Sequence, residues 1–319
     1  MRALVIDAPG QQPRLADLPL PEPGPGEVRL RITACGLNFA DLLMAEGRYQ
    51  ESPTPPFIPG MEVAGEVEAL GPGVTGPAPG TRVAAFAGHG GLAEAICLPA
   101  TRCLVLPDQV GDPQAAAFQI GYGTAHLALG HRARLAPGET LLVTGAAGGV
   151  GLTAVEIGKR MGARVIASAR GADRLALAAA AGADHLIDSD TPDLRGQLKA
   201  LGGVDVVYDA VGGPAFLEAL RATRPEGRLI PIGFAGGEVP QIPANLLLVK
   251  NLTVIGLYWG GYLRFRPEVL TDSLATLLGW IAEGQLHPPV GQILPLDRVL
   301  DGFGLLRDRK ATGKVIITP

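Results

Sequence analysis

The stretch LLVTGAAGGVG at residues 141–151 decides the fold. An apolar run ends at Thr144, a glycine-rich turn follows, and a helical pattern of apolar residues continues from Gly149 to Met161. Backbone N–H groups in such a turn can approach a pyrophosphate, and the helix N-terminus adds positive partial charge. The turn is a variant of GxGxxG in which Ala146 replaces the first glycine. We therefore expect the first strand–turn–helix of a dinucleotide-binding domain.

The pattern on both sides of this turn supports an α/β domain. An alanine-rich helix is predicted near residues 173–181, and two further helices near 268–283 and 297–309. The apolar runs that read as strands are residues 164–167, 185–187, 204–208, 228–232 and 252–255, with a last strand at 314–318. Apolar strands spaced by helices predict a doubly wound parallel sheet of the Rossmann type.

The first 115 residues have a different rhythm. Residues 27–32 alternate polar and apolar side chains with period two, as a half-buried strand does. Other short runs that read as strands are residues 1–7, 61–70, 82–86, 92–98 and 102–106, separated by Gly and Pro turns. This pattern predicts an antiparallel barrel or sandwich ahead of the α/β domain.

Composition excludes several classes of protein. The chain has 45 Gly and 28 Pro, but 47% of its 319 residues are hydrophobic, so it can bury enough apolar surface to fold. A net charge of -4 gives no electrostatic footprint for nucleic acid or an anionic membrane. No apolar stretch approaches the ~20 residues of a membrane helix. Three cysteines without a CxxC pair favour a reducing compartment, and we expect the cytoplasm.

The end of the second strand of the α/β domain favours NADPH over NADH. An NAD site places Asp or Glu there to accept from the ribose 2′-OH. This chain has Ser168, Ala169 and Arg170, with Arg174 one helical turn later. Two guanidinium groups and a hydroxyl suit a 2′-phosphate. The alternative is that both arginines are solvated surface residues.

Metal chemistry is not expected. The five histidines stand singly, and no spacing of Cys and His is typical of a zinc site. No nucleophile elbow, P-loop or pair of catalytic carboxylates appears either. Hydride transfer remains, because the cofactor carries that chemistry and the protein positions it.

A succession of motifs along nearly the whole chain resembles the medium-chain dehydrogenase/reductase superfamily. The motifs are PGPGEV at 23–28, NFAD at 38–41, PGMEVAG at 59–65, GLAE at 91–94, GTA at 123–125, GAD at 182–184, DAVG at 209–212 and TGKV at 312–315. The zinc enzymes of the superfamily carry Cys where this chain has Asn38 and His where it has Met61. The chain therefore resembles the zinc-free, zeta-crystallin-like quinone oxidoreductases.

This resemblance implies two domains. A GroES-like β-rich catalytic domain would comprise residues 1–115 and 263–319, and a Rossmann NADPH-binding domain would comprise residues 116–262. The strand at residues 252–257 resembles the edge through which the family forms homodimers, so a homodimer is expected.

The resemblance also supplies candidate site residues. Asn38, Asp41 and Tyr49 would lie on the catalytic side. Together with the glycine turn and the residues at the end of the second strand, which are chosen on their own chemistry, the candidate cofactor residues are Thr124, Gly145, Ala147, Gly148, Gly149, Val150, Ser168, Arg170, Arg174, Val211, Phe234, Leu257 and Tyr258. The chain has Leu43 where some quinone reductases have tyrosine, which affects the quinone pocket, and Ser189 where many relatives have tyrosine, which affects the 2′-phosphate side.

Each catalytic candidate also has a structural interpretation. Asn38 is a favoured residue for capping a helix that begins near Phe39. Asp41 could serve a hydrogen bond within its own domain, and Tyr49 could be a packing residue in a loop.

The expected activity is hydride transfer from NADPH to a quinone-type conjugated acceptor, without zinc. The alternative is NADPH-dependent reduction of a C=C bond in an alkenal or enoyl thioester. A third possibility is a protein that binds the cofactor without turnover.

Overall fold

The computed structural model describes residues 1–51 and 53–319, which form two compact units. The first contains Met1–Ile120 and Leu274–Pro319, and the second contains Gly121–Ser273. Both divisions lie beyond the sequence-based boundaries at 115/116 and 262/263, which stay predictions.

The elements, numbered along the chain, are as follows. The strands are β1 (Arg2–Val5), β2 (Arg14–Asp17), β3 (Glu27–Gly36), β4 (Glu62–Leu70), β5 (Arg82–Phe86), β6 (Ala95–Pro99), β7 (Leu104–Val105), β8 (Thr140–Thr144), β9 (Arg164–Ala169), β10 (His185–Asp188), β11 (Val204–Asp209), β12 (Thr223–Pro231), β13 (Thr253–Val254), β14 (Val290–Pro295) and β15 (Lys314–Thr318). The α-helices are α1 (Phe39–Ala45), α2 (Asp112–His126), α3 (Gly149–Arg160), α4 (Ala172–Ala180), α5 (Leu194–Ala200), α6 (Gly213–Ala222), α7 (Ala244–Lys250), α8 (Tyr262–Phe265), α9 (Pro267–Ala282) and α10 (Val299–Arg307). A π-helical turn, Leu127–Arg132, continues α2.

The second unit is built on a parallel sheet with the order β10-β9-β8-β11-β12-β13. Renumbered from β8, this order is 3-2-1-4-5-6, the order of dinucleotide-binding sheets. All five residues of β8 are buried, as expected for a central strand covered by helices on both faces. The predicted Rossmann-type α/β class is confirmed.

The first unit contains a mainly antiparallel sheet with the order β14-β15-β3-β4-β5-β7, and β6 also pairs with β3. In β3 the alternation found in the sequence places Val28, Leu30 and Ile32 in the core. The β-rich architecture of this unit is therefore also as predicted.

Some predicted elements are shorter than expected. The strand predicted at 102–106 is only β7, because Ala100–Arg102 forms a 3-10 turn. The strand predicted at 252–255 is only β13, since Leu252 follows directly on the C-terminal turn of α7 at Asn251, whose φ is +54°. Strands β2 and β14 carry no clear alternation and were not predicted.

Candidate functional site

The glycine-rich turn joins β8 to α3, and each glycine has a different surrounding. Gly145 adopts a φ of +62°, a left-handed conformation that favours glycine. A Cβ on Gly151 would lie 2.2 Å from the carbonyl oxygen of Gly145, so only glycine lets α3 pack on the turn. A Cβ on Gly149 would meet no atom within 4 Å. The turn is thus closely packed at Gly151 and has unoccupied space beside Gly149.

Two backbone amides at the start of α3 are available to a ligand. Gly148 is the N-cap, and its own N–H donates to Gly145 O at 2.9 Å. In the described part of the chain the N–H groups of Gly149 and Val150 have no hydrogen-bond partner. Free amides at a helix N-terminus are suited to an anion. The residues present therefore fit the pyrophosphate of a dinucleotide, with Ala147 half-buried beside them.

A buried carboxylate holds the carboxyl ends of β8 and β11 together. Asp209 accepts a short hydrogen bond from the Thr144 hydroxyl and a 2.8 Å hydrogen bond from Gly212 N. Burial raises the pKa of Asp209, and these hydrogen bonds oppose that shift. Through these hydrogen bonds Asp209 fixes the position of the loop after β11.

Two candidate cofactor residues lie on this loop and its neighbour. A Cβ on Gly145 would be 3.3 Å from Val211 Cγ2, and one on Gly212 would be 3.0 Å from Phe234 Cδ1. The loop after β12 is tied to the loop after β11 by Gly236 N donating to Val211 O at 2.9 Å. The structure therefore places Val211 against the glycine turn and Phe234 against Gly212 in the loop after β11.

The candidates for the 2′-phosphate lie at the end of β9. Ser168 is 3% exposed, and its carbonyl oxygen accepts from Ala146 N at 3.0 Å. The Arg170 side chain is 67% exposed and pairs with Asp190 at 3.0 Å. Arg174 is exposed on α4, with no ion pair in the described residues. In the described residues the guanidinium of Arg174 therefore has no ion pair, whereas that of Arg170 is paired with Asp190.

Thr124 lies on the last turn of α2, next to a tight contact. A Cβ on Gly123 would lie 2.7 Å from Cζ2 of Trp259, so the indole packs directly on the helix backbone. Thr153 on α3 donates to Gly121 O at 3.0 Å and fixes α2 near the glycine turn. Leu257 and Tyr258 are half-buried just before Trp259.

The catalytic candidates lie in the first unit, at the start of α1. Asn38 is the N-cap of this helix, and its backbone N–H donates to Asp41 Oδ2 at 2.8 Å. The other carboxylate oxygen of Asp41 accepts from Gly60 N at 3.0 Å. Burial raises the pKa of Asp41 to about 7, although both backbone hydrogen bonds and Lys314 lower it. The structure brings Asn38 and Asp41 together.

A buried ion pair completes this cluster. Glu62 at the start of β4 is fully buried and pairs closely with the ammonium of Lys314 on β15. Asn38 links the two, because its Nδ2 donates to Glu62 Oε1 at 2.9 Å and its Oδ1 accepts from Lys314 Nζ at 2.5 Å. Ile120 N donates to Glu62 Oε2 at 3.0 Å. Tyr49 is half-buried in the segment after α1, and its catalytic role stays a prediction.

Glu62, Lys314 and Asp209 lie within the sequence motifs but are not among the predicted site residues. The available signal was a charged residue within or at the end of an otherwise apolar strand, because such residues are rarely buried without a partner.

The donor chemistry of the cluster does not fit zinc. In residues 1–51 and 53–319 no group of three or more His, Cys, Asp and Glu side chains could hold a metal ion. The Lys314 ammonium supplies the positive charge beside Glu62.

Comparison with known proteins agrees with this geometry. The family described as alcohol dehydrogenase GroES-like domain matches residues 24–108, and the family described as zinc-binding dehydrogenase matches residues 149–277. A quinone oxidoreductase-like protein 2 homolog of Nematostella vectensis is 42% identical over 300 residues, covering 92% of this chain and 82% of the relative. The chain belongs to the zinc-free quinone oxidoreductase branch of the medium-chain dehydrogenase/reductase superfamily.

Solved structures of this superfamily are similar over the full chain. The quinone oxidoreductase of Thermus thermophilus, determined also in complex with NADPH, is 39% identical with a TM-score of 0.88, and the match covers 100% of both chains. The quinone oxidoreductase of Pseudomonas syringae is 30% identical with a TM-score of 0.92, and the match covers 100% of this chain and 99% of that one. The resemblance seen in the sequence is confirmed, and the protein is an oxidoreductase. No helix in the described residues is long and apolar enough to cross a membrane.

Proposed function

We propose that this oxidoreductase transfers a hydride from NADPH to a quinone-type acceptor without a metal ion. The observation that carries the proposal is the glycine turn, where unoccupied space beside Gly149 adjoins two helix N–H groups that have no hydrogen-bond partner in the described residues. The Thermus relative, whose structure was determined with NADPH, supports the choice of cofactor.

In this proposal the backbone N–H groups of Gly149 and Val150 bind the pyrophosphate, and Gly145, Ala147 and Gly148 line its site. Bound NADPH supplies the hydride. Val211 and Phe234 provide apolar contacts from the loops after β11 and β12. The remaining candidates for cofactor contacts are Thr124, Leu257 and Tyr258.

Discrimination between NADPH and NADH is assigned to the end of β9. Arg170 and Arg174 are the candidate cations for a 2′-phosphate, and Ser168 lies two residues before Arg170. Because Arg170 is already paired with Asp190, the phosphate must compete with a carboxylate for it. We therefore expect a modest preference for NADPH, to which Arg174 contributes as well.

The preference is tested by the ratio of kcat/KM for NADPH and NADH in the wild type, Arg170→Ala and Arg174→Ala. Each substitution should lower kcat/KM for NADPH and leave that for NADH nearly unchanged. Arg298→Ala, which removes another exposed arginine from an ion pair with Asp301, is the matched control. An equal loss with both cofactors would contradict the 2′-phosphate assignment.

The acceptor is tested with a panel of quinones, 2-alkenals and enoyl thioesters at saturating NADPH. The proposal expects the highest kcat/KM with a quinone. An enoyl thioester or alkenal as the best substrate would replace it with C=C reduction. Tight NADPH binding without turnover of any acceptor would indicate a binding protein.

The assembly proposed for the protein is a homodimer formed through the open edge of β13. This edge strand adjoins α7, where Leu248 and Val249 are exposed. Sedimentation equilibrium tests the proposal, and a monomer at micromolar concentration would overturn it. A cytoplasmic location also stays a prediction.

A further inference from the structure

The segment that follows β10 is fixed to the end of β9 by hydrogen bonds. Ser189 N donates to Ala169 O at 3.0 Å. Gly171 N donates to Asp188 Oδ1 at 3.2 Å, and the same oxygen accepts from Asp190 N at 3.1 Å. The position of Asp190 relative to the end of β9 is therefore set by the backbone of the second unit.

The two carboxylates of this segment have different roles. Asp188 accepts from the N–H groups of Asp190 and Gly171, which hold its pKa below the ordinary value, so its carboxylate stabilises the turn. The Asp190 side chain has one partner in the part of the chain that the structure describes, which is Arg170 Nε at 3.0 Å. Both members of this pair are mostly exposed, and exposed ion pairs add little to stability. The Asp190 carboxylate therefore acts mainly on an anion that approaches Arg170.

The ion pair occupies only part of the Arg170 guanidinium. This group has five N–H donors, and the contact with Asp190 uses the one on Nε. In residues 1–51 and 53–319 neither Nη atom of Arg170 has a hydrogen-bond partner. A phosphate can reach these atoms, but it has to share the positive charge with a carboxylate that is already bound to the same group.

We propose that Asp190 is a specificity-determining residue, which lowers the affinity for NADPH by competing with the 2′-phosphate for Arg170 and leaves the affinity for NADH unchanged. This inference rests on the proposed function, which assigns the 2′-phosphate to the end of β9. The 2′-hydroxyl of NADH is neutral, so it does not compete with a carboxylate for a cation. Loss of the Asp190 carboxylate should therefore increase the selectivity for NADPH, a gain that a purely structural role would not give.

The test measures the dissociation constants of NADPH and NADH by nicotinamide fluorescence, which requires neither an acceptor nor turnover. Asp190→Asn removes the charge and retains the shape of the side chain. We expect its Kd for NADPH to fall ~5-fold, equivalent to about 1 kcal/mol, the upper value for an exposed ion pair, and its Kd for NADH to stay within about twofold. An unchanged Kd for NADPH, or an equal fall for both cofactors, would overturn the proposal.

The matched control is Asp301→Asn in the first unit. It removes an exposed carboxylate that is paired with Arg298 at 2.8 Å, so the change in net charge is the same. This variant should change neither dissociation constant. An equal gain in NADPH affinity in the control would show that net charge, and not Asp190, causes the effect.

A double-mutant cycle shows whether the effect depends on Arg170. In Arg170→Ala the cation is absent, so the addition of Asp190→Asn should change the Kd for NADPH by less than about twofold. An equally large gain in both backgrounds would show that Asp190 does not act through Arg170, and would refute the competition.

The outcomes also separate this inference from the proposed function. Weaker NADPH binding in Arg170→Ala without tighter binding in Asp190→Asn would refute the inference and retain the assignment of the 2′-phosphate. Unchanged NADPH binding in both variants would refute that assignment as well. A wild type that meets the binding expectations but reduces no quinone would refute quinone reduction and retain the role of Asp190.

Discussion

Two glycines of the β8–α3 turn should respond to alanine in opposite ways. In Gly151→Ala the new methyl group would lie 2.2 Å from Gly145 O and 2.8 Å from Ala146 Cα, both backbone atoms that cannot rotate away. In Gly149→Ala the methyl group would have no neighbour within 4 Å. The first substitution therefore perturbs the fold, and the second fills the space assigned to the pyrophosphate.

The expected magnitudes follow from these distances. Overpacking of this kind costs about 1–3 kcal/mol, and a domain of this size loses about 2–4 °C of Tm per kcal/mol. Gly149→Ala should instead leave the Tm unchanged or raise it, because alanine favours a helix over glycine by up to about 1 kcal/mol. Its NADPH affinity should fall at least about tenfold, equivalent to about 1.4 kcal/mol.

The assay combines thermal unfolding without cofactor and NADPH titration by fluorescence. Gly304→Ala is the control, because it also adds a methyl group to a helix, α10 of the first unit, with no atom within 4 Å. This control should retain NADPH affinity. Wild-type affinity in Gly149→Ala would show that the pyrophosphate does not occupy the space above this residue. Wild-type stability in Gly151→Ala would refute the packing argument.

Three further substitutions test burial. Burial raises the pKa of Asp41 to about 7 from 3.8, so the folded state binds a proton that the unfolded state releases, and stability should fall between about pH 4 and 7. This slope, at most about 1.4 kcal/mol per pH unit, should disappear in Asp41→Asn. Urea denaturation from pH 4.5 to 8 measures the free energy of unfolding of both proteins. Wild-type and variant values that change with pH in parallel would contradict the assignment. Tyr208→Phe should raise the Tm, because in the described residues the buried Tyr208 hydroxyl has no hydrogen-bond partner. A buried polar group of this kind destabilises the folded state by about 1–3 kcal/mol. A lower Tm would indicate that a bound water satisfies the hydroxyl. Gly36→Ala should lower the Tm of the first unit, since its methyl group would lie 2.0 Å from Ala116 O, and unchanged melting would refute that contact.

Most of the fold was accessible from periodicity and turn chemistry. The buried strand β8 and the alternating strand β3 have strong patterns, because each pattern reflects which faces are covered. Strand β14 has the sequence VGQILP, which does not alternate polar and apolar residues, although half-buried or buried residues alternate with exposed ones in the structure. It is a strand only because β15 pairs with it.

The candidate site was predicted only in part for a similar reason. The glycine turn is local in sequence, so its chemistry can be deduced from a few adjacent residues. The pairing of Glu62 with Lys314 joins β4 to β15, and depends on β3 lying between them in the sheet. No local pattern contains that register, so Asn38 could be selected while its two charged partners were not.

The discontinuity of the first unit affects the order in which the chain can fold during synthesis. Gly121–Ser273 is a continuous segment, so all six strands of its parallel sheet have been made before translation reaches α10. The first unit lacks β15, which lies between β14 and β3 in its sheet, until residues 314–318 emerge. The buried carboxylate of Glu62 therefore has no cation from Lys314 while the nascent chain is incomplete. Vectorial synthesis thus favours completion of the second unit first, with the first unit closing after the last strand is released.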